Sequence, residues 1–359
     1  MRALIHEGEG RIRYTETLTV REPDKDEVLV RIVASGICHS DISVMNGTIE
    51  WPAPAVLGHE GAGVIEKVGA SVTGLQPGDH VVLHTLAYCG HCAHCDTGKP
   101  THCRSTLGNR SQPFTQDGAA VSNFAATSTF AEYTVVKQQQ AVKVHPDIPL
   151  DVACVVGCAV QTGVGAVLNT ARVREGDTVL VMGAGGIGLS IIQGARLAGA
   201  ARIIVSEPDA QRRATALAMG ATHAIDPTAD DLLAATLDLS PGGIGADVAF
   251  DAVGRSALVA AGIDATRKGG TTVMVGVPGL EDPFTYPLPA VLAIGEKKLV
   301  GSLLGSCNSL RDIPRLIDLM QQGRLDLASL ITARRPLDEI NQAFDDIRST
   351  TGIRTVIDL

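Results

Sequence analysis

The segment TVLVMGAGGIGLSIIQGARLAGA, residues 178–200, decides how the second half of the chain is interpreted. It opens with apolar and β-branched residues, as in a buried strand, and continues into a stretch of helical character. Three glycines between the two parts form the pattern G-x-G-x-x-G, which lets the backbone approach a pyrophosphate at the N-terminus of the helix. This context predicts a dinucleotide site. The expected contacts in the turn are Gly183, Gly185, Gly186, Ile187 and Gly188.

After about residue 155, apolar strands alternate with Ala-rich helical stretches. That alternation predicts an α/β domain with a doubly wound parallel sheet. The region before about residue 155 contains β-branched strands instead and is expected to be mostly β. From about residue 300 the repeat ends, and two helices and a last strand are expected to return to the first domain. The expected division is 1–157, 158–299 and 300–359.

The composition narrows the class of protein. The chain has 359 residues and 39 glycines. Its formal net charge of -9 argues against a nucleic-acid-binding surface. No apolar run approaches the roughly 18 residues of a membrane span, and no secretion signal is evident at the N-terminus. We therefore expect a cytoplasmic enzyme without a membrane or nucleic-acid partner.

An acidic residue follows the next predicted strand, in IIVSEPD. Glu207 lies about twenty residues after the glycine turn, where a carboxylate accepts hydrogen bonds from a ribose. A carboxylate there repels a 2'-phosphate, so NAD is favoured over NADP. Arg212 and Arg213 leave the alternative open, because a cation would accommodate the extra phosphate; Arg212 is counted among the cofactor contacts.

Four cysteines are spaced C-x2-C-x2-C-x7-C in the first half of the chain. Two disulfides are a poor alternative, because disulfides between such close neighbours tend to be strained and nothing in the sequence suggests an oxidising compartment. Four thiolates complete a tetrahedral shell and leave no position for substrate, which is typical of structural zinc. The predicted structural ligands are Cys89, Cys92, Cys95 and Cys103.

Three further segments, GICHSDISVMNG, VLGHEGAGVIEKVG and VVGCAVQTGVG, occur with both patterns above and with the terminal IRTVIDL. Together they resemble the zinc-dependent alcohol dehydrogenases of the medium-chain dehydrogenase/reductase family over nearly the whole chain. The resemblance implies a GroES-like catalytic domain with both zinc sites, followed by an NAD-binding Rossmann domain. It also implies that Cys38, His59 and Cys158 hold a catalytic zinc, giving two zinc ions per subunit. Cys154 and Cys307 are then expected to be structural thiols.

The same resemblance assigns roles around that zinc. Asp41 orients the imidazole of His59, Glu60 approaches the metal from behind, and Ser40 relays the proton of the substrate hydroxyl. Ser43 stands where many relatives carry a histidine that completes the relay, so water or His39 would finish it. The remaining expected cofactor contacts are His39, Thr162, Val277 and Arg354.

The substrate channel implied by the resemblance is apolar and wide. Thr85 replaces an aromatic residue that narrows the pocket of many relatives, and Val277 is expected to border the channel as well as the cofactor. The other expected lining residues are Ile49, Trp51 and Phe124. Such a channel suits a bulky aliphatic or aromatic primary alcohol.

The loop between Cys103 and Phe130 resembles that of the dimeric branches, so a homodimer is expected. Glutathione-dependent relatives carry an arginine in this loop that holds the carboxylate of the adduct, whereas the residues at the aligned place, Leu107 and Gly108, are uncharged. The resemblance therefore disfavours a glutathione-dependent formaldehyde activity. The predicted activity is reversible hydride transfer between a primary alcohol and NAD, giving an aldehyde and NADH. The alternatives are a thiol-adduct formaldehyde dehydrogenase and a nicotinoprotein with permanently bound NAD.

Overall fold

The computed structural model describes residues 1–106, 108–279, 281–286, 289–348 and 352–359. Leu107, used above to compare the loop with glutathione-dependent enzymes, lies outside these residues. Over the described part, the chain forms two compact units, Met1–Ala159 with Cys307–Leu359, and Val160–Ser306.

The strands and helices are as follows in chain order. The strands are β1 (Ala3–Gly8), β2 (Arg11–Thr15), β3 (Thr19–Val20), β4 (Glu27–Gly36), β5 (Ala55–Val56), β6 (Glu60–Val68), β7 (His80–Leu83), β8 (Phe114–Gln116), β9 (Ala119–Asn123), β10 (Tyr133–Lys137), β11 (Ala141–Val144), β12 (Thr178–Met182), β13 (Arg202–Ser206), β14 (His223–Ile225), β15 (Ala246–Asp251), β16 (Thr266–Met274), β17 (Lys298–Gly301), β18 (Ala333–Pro336) and β19 (Thr355–Asp358). The α-helices are α1 (His39–Met45), α2 (Ala93–Asp96), α3 (Leu150–Ala153), α4 (Ala159–Gly165), α5 (Gly186–Leu197), α6 (Ala210–Ala218), α7 (Leu232–Leu239), α8 (Ser256–Ala265), α9 (Pro289–Ile294), α10 (Ser309–Gln321) and α11 (Ile340–Arg348).

The first unit is built on two sheets, as its β-branched strands predict. One has the order β2-β1-β5-β9-β8-β3, and the other has the order β11-β7-β6-β4-β19-β18, with β10 also paired to β4. β4 is antiparallel to both β6 and β19, so that Gly36 lies opposite Glu60 on one side and Val356 on the other. This register brings the ends of three strands together beside α1, where the cysteine and histidine motifs are found.

The second unit contains a parallel sheet with the order β14-β13-β12-β15-β16-β17. Numbered within this unit, the order is 3-2-1-4-5-6, which is the arrangement of a dinucleotide-binding Rossmann sheet. Its strands are buried between helices; Leu180, Ile204 and Ala249 belong to one core cluster with less than 1% exposure. The predicted fold class, a Rossmann sheet plus a mostly β GroES-like domain, is confirmed.

The units divide at 159/160 and 306/307, whereas the sequence suggested 157/158 and 299/300. The later boundary differs because β17 continues the parallel sheet, with Lys298 paired to Thr271 and Gly301 to Met274. The boundary at 159/160 differs from the suggested one by a few residues and places Cys158 in the first unit.

Among the described residues, no single helix is long and apolar enough to span a membrane, although the bent pair Leu150–Gly157 and Ala159–Ala171 is so jointly, with 53° between its halves.

Candidate active site

The residues predicted to hold the catalytic metal lie together in the first unit. Ligand atoms of Cys38, His59, Glu60 and Cys158 all lie within 4.8 Å of one another, and all four residues are buried. Cys38 follows β4 as the N-cap of α1, and His59 directly precedes β6. Because β4 and β6 are antiparallel neighbours, the end of one strand lies beside the start of the other.

The carboxylate of Asp41 fixes this arrangement from α1. Its Oδ2 accepts the Cys38 N–H at 3.0 Å, and its Oδ1 accepts the Gly58 N–H at 3.0 Å. Oδ1 also lies 3.2 Å from Nδ1 of His59, and Asp41 itself has no exposed surface. A hydrogen bond on Nδ1 leaves Nε2 of the imidazole as the nitrogen available to a metal.

Glu60 occupies a confined position next to these ligands. Nη1 of Arg354 lies 3.4 Å from Glu60 Oε1 and donates a hydrogen bond of 2.6 Å to the carbonyl of Ile37. Among the described residues, neither carboxylate oxygen of Glu60 accepts a hydrogen bond. A Cβ at Gly36 would overlap with Oε2 of Glu60, so only glycine leaves room for this carboxylate.

The electrostatics of the group reflect close packing of ionisable atoms. The pKa of the Cys38 thiol lies well below its usual value, first because Cys158 donates a hydrogen bond to it, and also because of nearby His59 and Arg354. The pKa of Cys158 is raised correspondingly by the shared proton and by burial. Burial raises the pKa of Glu60 to about 7, although Arg354 opposes this shift.

These donors fit a zinc ion. Two thiols and one imidazole nitrogen form the ligand set of an open catalytic zinc site, and a pair of thiols that share one proton readily exchanges it for a metal. Cys154 is fully buried, and its thiol lies 3.5 Å from the carbonyl oxygen of Asp151, outside the ligand group. Cys307 is also buried.

The second cysteine group forms a separate cluster. The ligand atoms of Cys89, Cys92, Cys95 and Cys103 lie within 4.8 Å of one another. The Sγ atoms of Cys92 and Cys95 are 3.6 Å apart, and those of Cys89 and Cys103 are 3.7 Å apart. Tetrahedral Zn–S bonds of about 2.3 Å require sulfur separations of roughly 3.8 Å. None of the eight cysteines, all of them described, forms a disulfide.

An aromatic wall borders the catalytic group. The ring of Phe124 lies 5.5 Å from that of His59 and 5.1 Å from that of Trp51, edge-to-face in both cases. Ile49 and Trp51 pack against the buried apolar cluster that contains Phe124. Thr85 follows β7 and is partly buried. Val277, which belongs to the second unit, is 73% exposed.

The glycine turn of the second unit has the predicted features of a dinucleotide site. Gly183 has φ of 95°, and a Cβ at Gly188 would overlap with the Gly183 carbonyl, so both positions need glycine. A Cβ at Gly185 would meet no atom within 4 Å, which leaves open space over the turn for a pyrophosphate. Gly186 and Ile187 begin α5. The residues present therefore fit a dinucleotide.

The carboxylate of Glu207 lies at the end of β13. It accepts the Ala184 N–H at 2.7 Å and the Asp209 N–H at 3.1 Å, which fixes it beside the glycine turn. Nη1 of Arg213 donates to the Glu207 and Pro208 carbonyls, while Nη2 pairs with Asp226 at 2.9 Å. Arg213 is therefore engaged within the protein. Arg212 is partly buried at the start of α6.

Two family models match different regions of the chain. Residues 24–147 match the family model of the alcohol dehydrogenase GroES-like domain, and residues 186–322 match that of the zinc-binding dehydrogenases. The chain belongs to the zinc-binding alcohol dehydrogenases. It is therefore an enzyme, an oxidoreductase of the medium-chain dehydrogenase/reductase family, as the sequence predicted.

Named relatives of this alcohol dehydrogenase differ in activity. The chain is 38% identical to the NDMA-dependent alcohol dehydrogenase of Amycolatopsis methanolica, over 99% of this chain and 97% of the relative. It is 37% identical to the S-(hydroxymethyl)glutathione dehydrogenase of Saccharomyces cerevisiae, over 95% and 92%. The crystal structure of benzyl alcohol dehydrogenase from Acinetobacter calcoaceticus matches with a TM-score of 0.92 and 35% identity, over 100% and 99%.

The other predicted site residues lie on both units of this dehydrogenase. Ser40 is partly buried, with its Oγ 3.8 Å from the Cys38 sulfur. His39 is exposed at the first position of α1, whereas Arg354 is only 5% exposed and contacts Glu60. Thr162 is buried in α4. The pyrophosphate contacts expected of His39 and Arg354 stay predictions.

Sequence reasoning missed two residues near the predicted sites. Arg110 stacks on Trp51, with its guanidinium carbon 4.8 Å from the ring centroid. His84 is fully buried beside Thr85, and burial lowers its pKa to about 4. Only the position of His84 directly after the apolar run of β7 could have indicated its burial. No local pattern could have indicated the contact of Arg110.

Proposed function

We propose that this enzyme is a zinc-dependent, NAD-linked dehydrogenase that oxidises a bulky aliphatic or aromatic primary alcohol to the aldehyde. The observation that supports this most directly is the buried convergence of Cys38, His59 and Cys158, with Phe124 packed on the imidazole. These three residues would hold the catalytic zinc. Cys89, Cys92, Cys95 and Cys103 would hold a second, structural zinc.

When bound, the zinc supplies Lewis acidity that lowers the pKa of the substrate hydroxyl. Asp41 keeps Nδ1 of His59 occupied, so that Nε2 remains the ligand nitrogen. Ser40 would accept the hydroxyl proton at its Oγ and pass it to water or to His39. NAD would accept the hydride of the carbinol carbon, so that one proton and one hydride leave the alcohol.

The aromatic wall supports the substrate class. Phe124 packs on His59 and Trp51 packs on Phe124, so apolar surface borders the ligand group and would suit a large apolar group. Thr85 offers less bulk than an aromatic residue would. The benzyl alcohol dehydrogenase structure, with its TM-score of 0.92, favours the same class.

The preference for NAD rests on Glu207. Its carboxylate is fixed by two backbone N–H groups, and a phosphate on the neighbouring ribose would meet that negative charge. Arg213, the nearby cation, is already bound to Asp226 and two carbonyls. Arg212 is the remaining cation that would contact the adenosine end.

The ratio of kcat/KM with NAD to kcat/KM with NADP tests this assignment. In Glu207→Gln, which keeps an oxygen acceptor but removes the charge, the preference for NAD in kcat/KM should fall by about 10-fold or more, because one charge contact is lost. Glu175→Gln makes the same change at an exposed site and should leave the ratio unchanged. A preference for NADP in the unmodified enzyme would contradict the proposal.

A second candidate follows from the relatives. The chain is 38% identical to an NDMA-dependent alcohol dehydrogenase and 37% identical to an S-(hydroxymethyl)glutathione dehydrogenase, so a permanently bound NAD or a thiol-adduct substrate is a defined alternative. Dialysis followed by measurement of NAD in the denatured protein tests for permanently bound NAD, and initial rates with formaldehyde plus glutathione test for a thiol-adduct substrate. Loss of NAD on dialysis, with full recovery of activity when NAD is added, supports exchange during turnover, whereas retained NAD supports the nicotinoprotein alternative.

A further inference from the structure

The wall turn, residues 124–128, carries Phe124 of the aromatic wall and has a strained backbone. Ala125, Ala126 and Ser128 have φ of 50°, 60° and 49°, which lie in the left-handed region that side chains rarely adopt. Ala126 is only 4% exposed, and Ser128 is fully buried. Such a backbone persists only where the surrounding structure holds it, and such positions are concentrated at functional sites.

Buried hydroxyl groups hold the two ends of the wall turn. The Phe124 N–H donates to Ser128 Oγ at 2.8 Å, and this hydroxyl donates to the Val56 carbonyl at 2.7 Å. The Thr134 hydroxyl donates to the Thr127 carbonyl at 2.5 Å. Val56 lies in β5 and Thr134 lies in β10, so neighbouring strands fix both ends of the turn.

The side chain of Gln140 holds the middle of the wall turn. Its Nε2 donates to the Ala126 carbonyl at 3.0 Å and to the His84 carbonyl at 3.1 Å. Its Oε1 accepts the Lys137 N–H at 3.1 Å. Gln140 has no exposed surface, so solvent does not compete for these three contacts. One buried amide therefore joins the wall turn to the segment that carries Thr85.

The other end of this link is held by main-chain hydrogen bonds. β7 pairs with β11 as far as Leu83 and Ala141, and the His84 N–H donates to the main-chain carbonyl of Gln140 at 3.1 Å. Thr85 therefore directly follows a continuous antiparallel ladder. The Gln140 side chain spans the distance from this ladder to the strained turn.

We propose that Gln140 is a positioning residue that sets the width of the substrate channel, an inference that rests on the proposed alcohol dehydrogenase function. By tying the wall turn to the segment of Thr85, its amide holds Phe124 and Thr85 at a constant separation. A buried carbonyl that loses its donor is unfavourable, so the strained turn should move when the amide is removed. A substrate that fills the channel then loses its defined fit.

Gln140→Met removes the amide and keeps the length of the side chain. KM for benzyl alcohol should rise about 10-fold, while kcat changes less than about threefold, because the ring loses fixed contacts but the metal ligands stay in place. KM for ethanol should change less than about threefold, because so short a chain does not span the channel. Gln138→Met is the matched control, where the side chain binds the Thr73 N–H instead, and it should leave both constants unchanged.

A double-mutant cycle separates positioning from a general loss of stability. Thr85→Phe adds bulk on one side of the channel and should lower kcat/KM for benzyl alcohol about 10-fold or more while the wall turn is tied. In the Gln140→Met background the same substitution should cost less than about threefold, because the wall turn is free to move away. A variant that is merely less stable would show the same factor in both backgrounds.

Tryptophan fluorescence gives a readout without turnover. Trp51 is the single tryptophan of the chain, and its ring lies 5.1 Å from that of Phe124. Release of the wall turn should expose this ring, so acrylamide quenching should rise about twofold or more in Gln140→Met and stay unchanged in Gln138→Met. Circular dichroism shows whether the variants are folded. If Gln140→Met does not fold, Gln140→Asn takes its place, because its shorter amide does not reach both carbonyls.

Equal quenching of Trp51 in the unmodified enzyme and the folded Gln140 variant, or an equal cost of Thr85→Phe in both backgrounds, would overturn the inference. Failure of the proposed function looks different. In that case no alcohol is oxidised at all, and the quenching measurement still decides whether Gln140 holds the wall turn.

Discussion

Gly36 and Glu60 lie opposite each other across β4 and β6, and no side chain fits between them. A Cβ on Gly36 would overlap with Oε2 of Glu60, a carboxylate confined between the ligand group and Arg354. Gly36→Ala should therefore lower the free energy of unfolding by about 1–3 kcal/mol, as overpacking does in dense interiors. Denaturant unfolding measures this. Gly301→Ala, on an edge strand with open space, is the matched control, and equal stability of both variants would contradict the account.

Asp41 should control the affinity of the catalytic zinc without being a ligand. Asp41→Asn weakens the bond to Nδ1 of His59 and the two backbone contacts that hold the site. Loss of such an orienting carboxylate typically lowers metal affinity about 10- to 100-fold. Competition with a chelator, monitored by metal analysis, measures the change. Asp79→Asn alters a carboxylate that holds a turn elsewhere and should leave zinc affinity intact.

The cysteine quartet should hold its zinc independently of the catalytic group. Cys95→Ser removes one of four sulfurs, so the purified variant should contain about one zinc fewer and unfold more easily, because structural zinc contributes directly to folding. Cys307→Ala, buried outside both clusters, should keep the full zinc content. An unchanged zinc content in Cys95→Ser would show that the quartet is not a zinc site.

His84 should make stability depend on pH. Its Nε2 lies 2.8 Å from the Gln139 carbonyl and its Nδ1 accepts the Leu86 N–H, so the buried ring is neutral. Burial lowers its pKa to about 4, below the usual 6.5. The unfolded chain thus binds the proton first, and the stabilisation present above pH 6.5 is lost as pH falls toward 4.

Between pH 7.5 and 5 this loss should amount to about 2 kcal/mol. The difference in unfolding free energy between the unmodified protein and His84→Gln should therefore shrink over that range. A constant difference for His84→Gln would contradict a neutral, buried imidazole.

The sequence predicted the features that depend on local pattern. The G-x-G-x-x-G turn and the strands at 178–182 and 202–206 lie where apolar periodicity placed them. Cys38, His59 and Cys158 were grouped only through resemblance to a family, since spacing cannot reveal which strands are neighbours. The structure supplies that link through the pairing of β4 with β6.

Long-range contacts escaped prediction for physical reasons. The stacking of Arg110 on Trp51 joins two irregular segments, and neither contains a periodic signal that places one over the other. Strand β17 was missed because its pattern KLVG is short and partly exposed, so it lacks the apolar run of a central strand. In both cases the decisive information lies in the partner segment.

The central claim is that alcohol oxidation occurs at a zinc held by Cys38, His59 and Cys158. The most direct test is initial-rate NADH formation from ethanol, hexanol and benzyl alcohol, with zinc content measured on the same samples of unmodified enzyme and Cys38→Ser. The account predicts higher kcat/KM for hexanol or benzyl alcohol than for ethanol, and loss of both activity and about one zinc in the variant. Full activity in Cys38→Ser, or no NADH from any alcohol with zinc-loaded unmodified enzyme, would contradict it.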